Sequence, residues 1–334
     1  MVFNNKINIE EIDGIRVVNK IKYLGLILDN KRDLFKTQRE NMIERAHKLA
    51  NLTYEMINKS CNNVLIGKTY WKVMVLSSVL QGLGVITFNK DFIKQFQTIE
   101  NSVFRKIFGA RDRTPNTVLR GEIGSSLMES RFIQTKLLFT KSILEGDNEL
   151  MKEIFFNVKV DNKIAWNRKF KEYLRDLDIT FNRFQRMSKQ EIREVIRKVD
   201  TFKWNREIER KSSIPIYRKF KMQIKEEQIY RNDLSSTLLF QARSNTLPLN
   251  DEKRFKKECT TCELCHLEEE NLVHFILKCK KLDKSRNDSF IDKFKDMDID
   301  TKLGNILFNY EHIETTKIMI ESMWKDREIQ LNET

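Results

Sequence analysis

The sequence predicts a mainly α-helical protein that opens with a few short strands and carries a small cysteine-rich module near its C-terminal end. Three observations predict it. Among 334 residues there are only 10 Gly and 3 Pro, well below the roughly 7% and 5% of average usage, so long uninterrupted elements are expected. Apolar residues recur at helical spacing opposite charged faces over most of the chain after Leu34. Four of the five cysteines fall between Cys259 and Cys279, a clustering that points to ligation of a metal ion rather than to dispersed core thiols.

At the N-terminal end, Ile7 and Ile9 alternate with polar residues, Asp13-Gly14 is a turn signal, and Ile15-Arg16-Val17 resumes a strand pattern. Lys22-Tyr23-Leu24-Gly25-Leu26-Ile27-Leu28 is nearly continuously apolar, which predicts one strand covered on both faces. From Leu34 the period becomes helical, with Met42, Ala46, Leu49, Ala50 and Thr53 on one stripe. Helices are expected over 67–88, 92–107, 127–144 and 149–156, with 109–124 as a connection around Pro115 that has room for a short helix. A second helical block spans 166–244, in which Ser188-Lys-Gln-Glu191 has the spacing of a capping box ahead of Ile192, Val195, Ile196 and Val199. The tail, 303–329, reads as amphipathic helices packed on the cysteine-rich module or on the block before it.

Within that module Cys262, Cys265, His274 and Cys279 have the spacing C-x2-C-x8-H-x4-C. Two residues between cysteines let a tight turn aim both thiolates at one ion, and a later pair completes a tetrahedron, so these four are the expected ligands of a structural Zn2+. On an ideal helix a five-residue step rotates by about 140°. The short helix suggested by Leu272, Val273, Phe275, Ile276 and Leu277 is therefore expected to unwind before Cys279. Cys259 forms its own C-x2-C with Cys262 and stays open as a competing ligand.

The net charge of +13 is concentrated: residues 163–231 hold 20 Lys/Arg against 10 Asp/Glu. Such a surplus suits a polyanion, whose displaced counterions give sequence-independent affinity. Arg168, Lys169, Arg197, Lys198, Arg218 and Lys219 are the expected phosphate contacts. The interleaved Trp166, Phe170, Tyr173, Phe184, Trp204, Tyr217 and Phe220 could stack on bases, but at this spacing most of them read as the core faces of amphipathic helices.

Catalytic constellations are missing. No Asp-Asp dipeptide and no Walker lysine loop occurs, and Gly82-Leu-Gly84 lacks the third glycine of a dinucleotide turn. His47, His266 and His312 have no nucleophile or base beside them in sequence. There is no signal-peptide pattern, and the most apolar run, 73–88, contains Ser77, Ser78 and Gln81 and falls short of the roughly 20 residues of a bilayer span. An intracellular protein, nuclear or cytoplasmic, is expected, with no membrane and no small-molecule substrate.

The residues from Asp13-Gly14 to Lys22-Tyr23-Leu24-Gly25-Leu26-Ile27-Leu28-Asp29, together with Met1-Val-Phe, resemble the segment that follows the catalytic palm motifs in reverse transcriptases of LINE-type (non-LTR, jockey-like) retrotransposons. Lys68-Thr-Tyr-Trp71 onward, Glu100-Asn-Ser-Val-Phe-Arg-Lys-Ile107 and Thr114-Pro115 to Gly124 are similar to the family's thumb. Leu238 to Arg243, the Cys/His spacing and Lys278-Cys-Lys-Lys281 with Arg286 resemble its C-terminal region.

The resemblance implies the end of a palm over 1–32, a helical thumb over 33–158, a basic helical linker over 159–250, a CCHC zinc knuckle over 251–290 and C-terminal helices over 291–334. It also implies RNA or DNA as partner, with Lys280 and Lys281 as further nucleic-acid contacts. The metal-binding aspartates of the family's polymerase site would precede Met1, so a fragment that binds nucleic acid without polymerising is expected. Two alternatives stay open. The chain could work as RNA-directed DNA polymerase with a palm encoded upstream or supplied by a second polypeptide, or be a structural protein that the metal only staples.

Overall fold

The computed structural model describes residues 11–30, 33–59, 62–160, 164–256 and 258–333. The pattern at Ile7 and Ile9 lies outside them. The fold is mainly helical, with two short antiparallel strand pairs at its start. In the first, β1 (Glu11–Ile12) pairs with β2 (Ile15–Arg16), so Asp13-Gly14 is the two-residue turn that its sequence signals. In the second, β3 (Lys20–Tyr23) pairs with β4 (Leu26–Asp29).

That second pair corrects the single strand expected over 22–28. Leu24 and Gly25 both have positive φ, 46° and 84°, the condition for the tight hairpin turn whose twist matches the flanking strands. Glycine supplies that backbone freely, and the apolar Leu24 hid the turn by continuing the hydrophobic run. Coverage on both faces does not follow either: Tyr23 is 63% and Leu24 83% exposed, and only Asp29 of β4 is buried.

The chain forms two compact units, interleaved along the sequence. One gathers the residues up to Thr53 with Thr69–Glu100 and Ser126–Asp200; the other gathers Tyr54–Lys68, Asn101–Ser125 and the residues from Thr201 onward.

In the first unit, Phe88, Phe92 and Phe132 form an aromatic stack, with Phe132 centred 4.9 Å from Phe88 and 5.9 Å from Phe92. A larger cluster joins Ile133 and Leu137 to Phe155, Phe170, Tyr173, Leu174, Phe184 and Ile192. These side chains come from the helices Met128–Glu145, Glu149–Val160, Ala165–Asp176, Phe181–Arg186 and Lys189–Glu209. The capping box is formed: the Glu191 N–H donates to Ser188 Oγ at 3.1 Å, and the Ser188 N–H donates to Glu191 Oε2 at 2.6 Å.

The helix expected over 67–88 is shorter than its apolar run. It continues from Asn63–Tyr70 through a π turn, Trp71–Leu76, and ends with Ser77–Leu80, where Gln81 becomes extended. Leu83, Ile86 and Phe88 are buried all the same. Hydrophobic density reported burial there, not helix.

In the second unit the helix Asn116–Ile123 is buried along almost its whole length. Trp204 Nε1 donates to Thr117 O at 2.8 Å. A Cβ at Gly121 would lie 2.2 Å from the Tyr217 hydroxyl oxygen and 2.8 Å from the Trp204 ring, so only glycine allows that approach. Phe108 and Phe240 stack at 4.5 Å, and the C-terminal helix, Ile313–Asn332, packs on Leu234–Arg243 and Ile299–Phe308. Among the described residues no helix is long and apolar enough to cross a membrane.

Candidate metal centre

The centre is built from a tight turn and a widened helical turn. A short antiparallel bridge, Thr261 opposite Glu269, brings the chain back on itself, and the Cys262 N–H donates to Glu268 O at 2.8 Å. Between them, Cys262-Glu-Leu-Cys265 turns tightly: the His266 N–H donates to Cys262 O at 2.9 Å, and His266 takes φ of 55° to leave the turn. Both cysteines thereby face the same side.

The second pair solves the five-residue problem in a way the sequence did not suggest. His274–Lys278 is a π turn, closed by the Cys279 N–H donating to His274 O at 2.9 Å. Hydrogen bonds from residue i to i+5 widen the helix, so a five-residue step overshoots one revolution by much less than the roughly 140° of an α-helix, and His274 and Cys279 return toward one face. The helical segment does end before Cys279, whose ψ of 111° is extended, as expected; the π turn is what aligns the pair. The Asn271 side chain accepts from the His274 N–H at 2.9 Å and fixes where the segment begins.

Together these elements place one ligand atom each from Cys262, Cys265, His274 and Cys279 within 4.8 Å of one another. Cys262 Sγ lies 3.9 Å from Cys279 Sγ, and Cys265 Sγ lies 3.3 Å from His274 Nε2. Cys262, His274 and Cys279 are buried and Cys265 is half-buried. The hydrogen bond with Cys279 pushes the Cys262 thiol down to about 4, and the same pairing pushes Cys279 up. A metal ion takes cysteine as thiolate, so its binding at the centre would release protons from this pair. Four soft donors in this arrangement could hold a metal ion. Cys259 is exposed and stands outside the four.

A supporting layer surrounds the ligands. Glu270 Oε1 is 4.0 Å from Cys262 Sγ, and Arg327 clamps that carboxylate through Nε at 2.7 Å and Nη2 at 2.8 Å. Both members of this pair are buried, and the Asn250 N–H donates to the same carboxylate at 3.0 Å. Trp324, one turn before Arg327, sets its ring 6.1 Å from Phe275. His274 Nδ1 is buried without a hydrogen-bond partner and faces Glu268 Oε2 at 3.6 Å. Glu270 and Arg327 escaped the sequence reading because 57 positions separate them and neither has a local partner that would mark it.

The basic residues expected to meet phosphate are placed differently. Arg168, Lys169, Arg197 and Lys198 belong to the first unit; Arg218, Lys219, Lys280 and Lys281 belong to the second. Lys169 is paired with Glu172 at 2.7 Å, Arg218 donates to Glu209 O at 3.3 Å, and Lys219 donates to Thr301 Oγ1 at 2.8 Å. Arg168, Arg197, Lys198, Lys280 and Lys281 are exposed. Phe170, Tyr173, Phe184, Trp204 and Tyr217 are buried core residues and offer no surface for base stacking.

Comparison of the chain with protein families, with curated proteins and with solved structures gave no match.

Proposed function

We propose that this protein is a zinc-stapled, nucleic-acid-binding module of the LINE reverse-transcriptase type that performs no nucleotidyl transfer of its own. The observation that carries the reading is the convergence of Cys262, Cys265, His274 and Cys279 on one point, followed directly by the exposed Lys280 and Lys281. Three thiolates and one imidazole are a set that zinc prefers over oxygen-seeking cations. With metal–sulfur bonds of about 2.3 Å, a tetrahedral site spaces its sulfurs by about 3.8 Å, close to the 3.9 Å between Cys262 and Cys279. Cys262, Cys265, His274 and Cys279 would hold the ion, which would supply fold stability and no chemistry.

The polymerase family's catalytic step needs two metal ions held by carboxylates, and this sequence contains no Asp-Asp pair to hold them. Exposed lysines and arginines instead support contact with the phosphate backbone, independent of base sequence.

The test combines metal analysis with binding. Purified chain is expected to carry one zinc per molecule and to bind labelled RNA and DNA with affinity that falls steeply as salt rises. Zinc-loaded chain that binds neither nucleic acid at low salt refutes the reading and leaves the metal as a structural staple. Primer extension by the chain alone would refute the non-catalytic part.

A further inference from the structure

A groove of about 730 Å³ opens between the turn that follows the metal centre and the C-terminal helix, lined by Lys280, Lys281, Lys284 and Lys325, with Asp326 and Ile329 also in its lining. We propose that this groove is a seat for the phosphates of a nucleic-acid backbone, which deepens, and rests on, the nucleic-acid reading above.

Charge is the first reason. Four lysines face one acid, and Asp326 is already engaged on both oxygens: Ser285 Oγ donates to Oδ2 at 2.8 Å and Gln330 Nε2 to Oδ1 at 2.9 Å. Among the described residues Lys280, Lys281 and Lys284 make no ion pair, and Lys325 pairs only with the half-buried Glu321 at 2.6 Å. A concave site walled by one sign of charge concentrates anions.

Construction is the second. Both walls are tied to the metal centre and to each other. Gln330 Nε2 donates to Lys281 O at 3.1 Å, joining helix to turn. Arg286 donates to the carbonyl of the ligand Cys279 at 2.5 Å and to Asp283 at 2.6 Å, fixing the turn that bears the three lysines. Arg327, two residues after Lys325, is clamped on Glu270 beneath Cys262. The cations are therefore presented from a frame rather than from a loose tail.

The lining also says what is recognised. No aromatic ring lines the groove, so bases have no stacking platform there. Lysine tips and hydroxyls can satisfy phosphates of any sequence.

The test uses full-length, zinc-loaded chain with K284Q/K325Q and the charge-matched control K293Q/K295Q, whose lysines lie outside the groove. Zinc content and circular dichroism report folding, and a labelled single-stranded 12-mer of uridine or thymidine is the probe. K284Q/K325Q is expected to lose about tenfold in affinity near physiological salt and to flatten the slope of log K against log salt by about 1.4, since each phosphate contact to a single strand carries about 0.7. The control should shift neither. If wild type binds and K284Q/K325Q matches it, the groove is wrong while the nucleic-acid reading stands; if zinc-loaded wild type binds nothing, both fall.

Discussion

Around Glu122 the second unit buries two carboxylates together with two cations, whereas at Cys262 to Cys279 it gathers three cysteines and an imidazole with no cation among them. Arg243 Nη1 reaches Glu122 Oε2 at 3.0 Å while its Nε donates to Leu307 O at 2.8 Å. Lys221 pairs with Glu227, and the Tyr230 hydroxyl donates to Glu122. Burial would push the Glu227 carboxyl up, but hydrogen bonds from Lys221 and Tyr310 outweigh it and hold the group below the usual carboxylate range. This network neutralises itself. The four-ligand cluster has acceptor atoms converging on a point, and the cations beside it are committed elsewhere, Arg327 to Glu270, Arg286 to Asp283 and Lys278 to Glu268. One centre balances its charges as folded; the other calls for something from outside.

The largest effect should come from withholding that missing partner. Structural zinc sites contribute on the order of 10 kcal/mol of apparent binding free energy, which is folding free energy. Stripping the metal, or Cys262→Ser, is expected to abolish amide-exchange protection across 260–282 while leaving protection around Phe170 and Phe184 intact. Protection that survives complete metal removal would show that the cluster closes without an ion and erase the contrast.

Next in size is the attack on the self-sufficient centre. Arg243→Met removes one cation and leaves Glu122 and Glu227 facing a single lysine, at a cost of about 3–5 kcal/mol; the guanidinium stacked 4.5 Å over Phe308 is lost as well. The denaturation midpoint should drop accordingly with zinc content unchanged. A loss below 1 kcal/mol would mean that the network is not the buried, interdependent unit that its geometry describes.

A third buried group has neither solution. Lys136, 1% exposed, donates to Ile86 O at 3.3 Å and lies 5.0 Å over Trp166, with no acid facing it among the described residues. Burial pushes its pKa down to about 7 from 10.5. The unfolded chain keeps this proton up to about pH 10.5 and the folded chain gives it up near pH 7, so stability declines as pH falls through that window and levels off below it. Lys136→Met should flatten the dependence between pH 7 and 10.5 and stabilise the protein at neutral pH by about 1–3 kcal/mol. A variant with the same slope as wild type would place the proton elsewhere.

The smallest effect belongs to the surface. Ser188→Ala breaks one half of the capping box and should cost about 1 kcal/mol, because water replaces part of what the hydroxyl gives. Thermal melts resolve that difference.

What the sequence made legible follows the distance between partners. The capping box spans three residues and the metal ligands seventeen, and both could be seen as spacing. Glu122 and Arg243 are 121 positions apart, and nothing near either one distinguishes a buried, paired charge from a solvated one. Arg327 looked like one more cation on an amphipathic tail. Local chemistry misled where apolar character had two causes. Leu24 sits at a turn, and Leu83 and Ile86 are buried outside any helix, yet each extended the run that predicted regular structure. The split of the basic residues between two units was equally invisible, since charge density along a chain carries no record of which surface receives it.

The π turn at His274–Lys278 has a consequence for how this segment can vary. A substitution that keeps the apolar side chains of Phe275 and Ile276 inward leaves the count of residues, and so the alignment of the imidazole with the Cys279 thiol, untouched. If the same five residues relaxed to an ordinary α turn, the last ligand would swing by about 140°, whereas a four-residue α step would bring it back within about 40°. The pairing of turn type with residue count, more than the identity of the residues, is what this stretch of chain must keep.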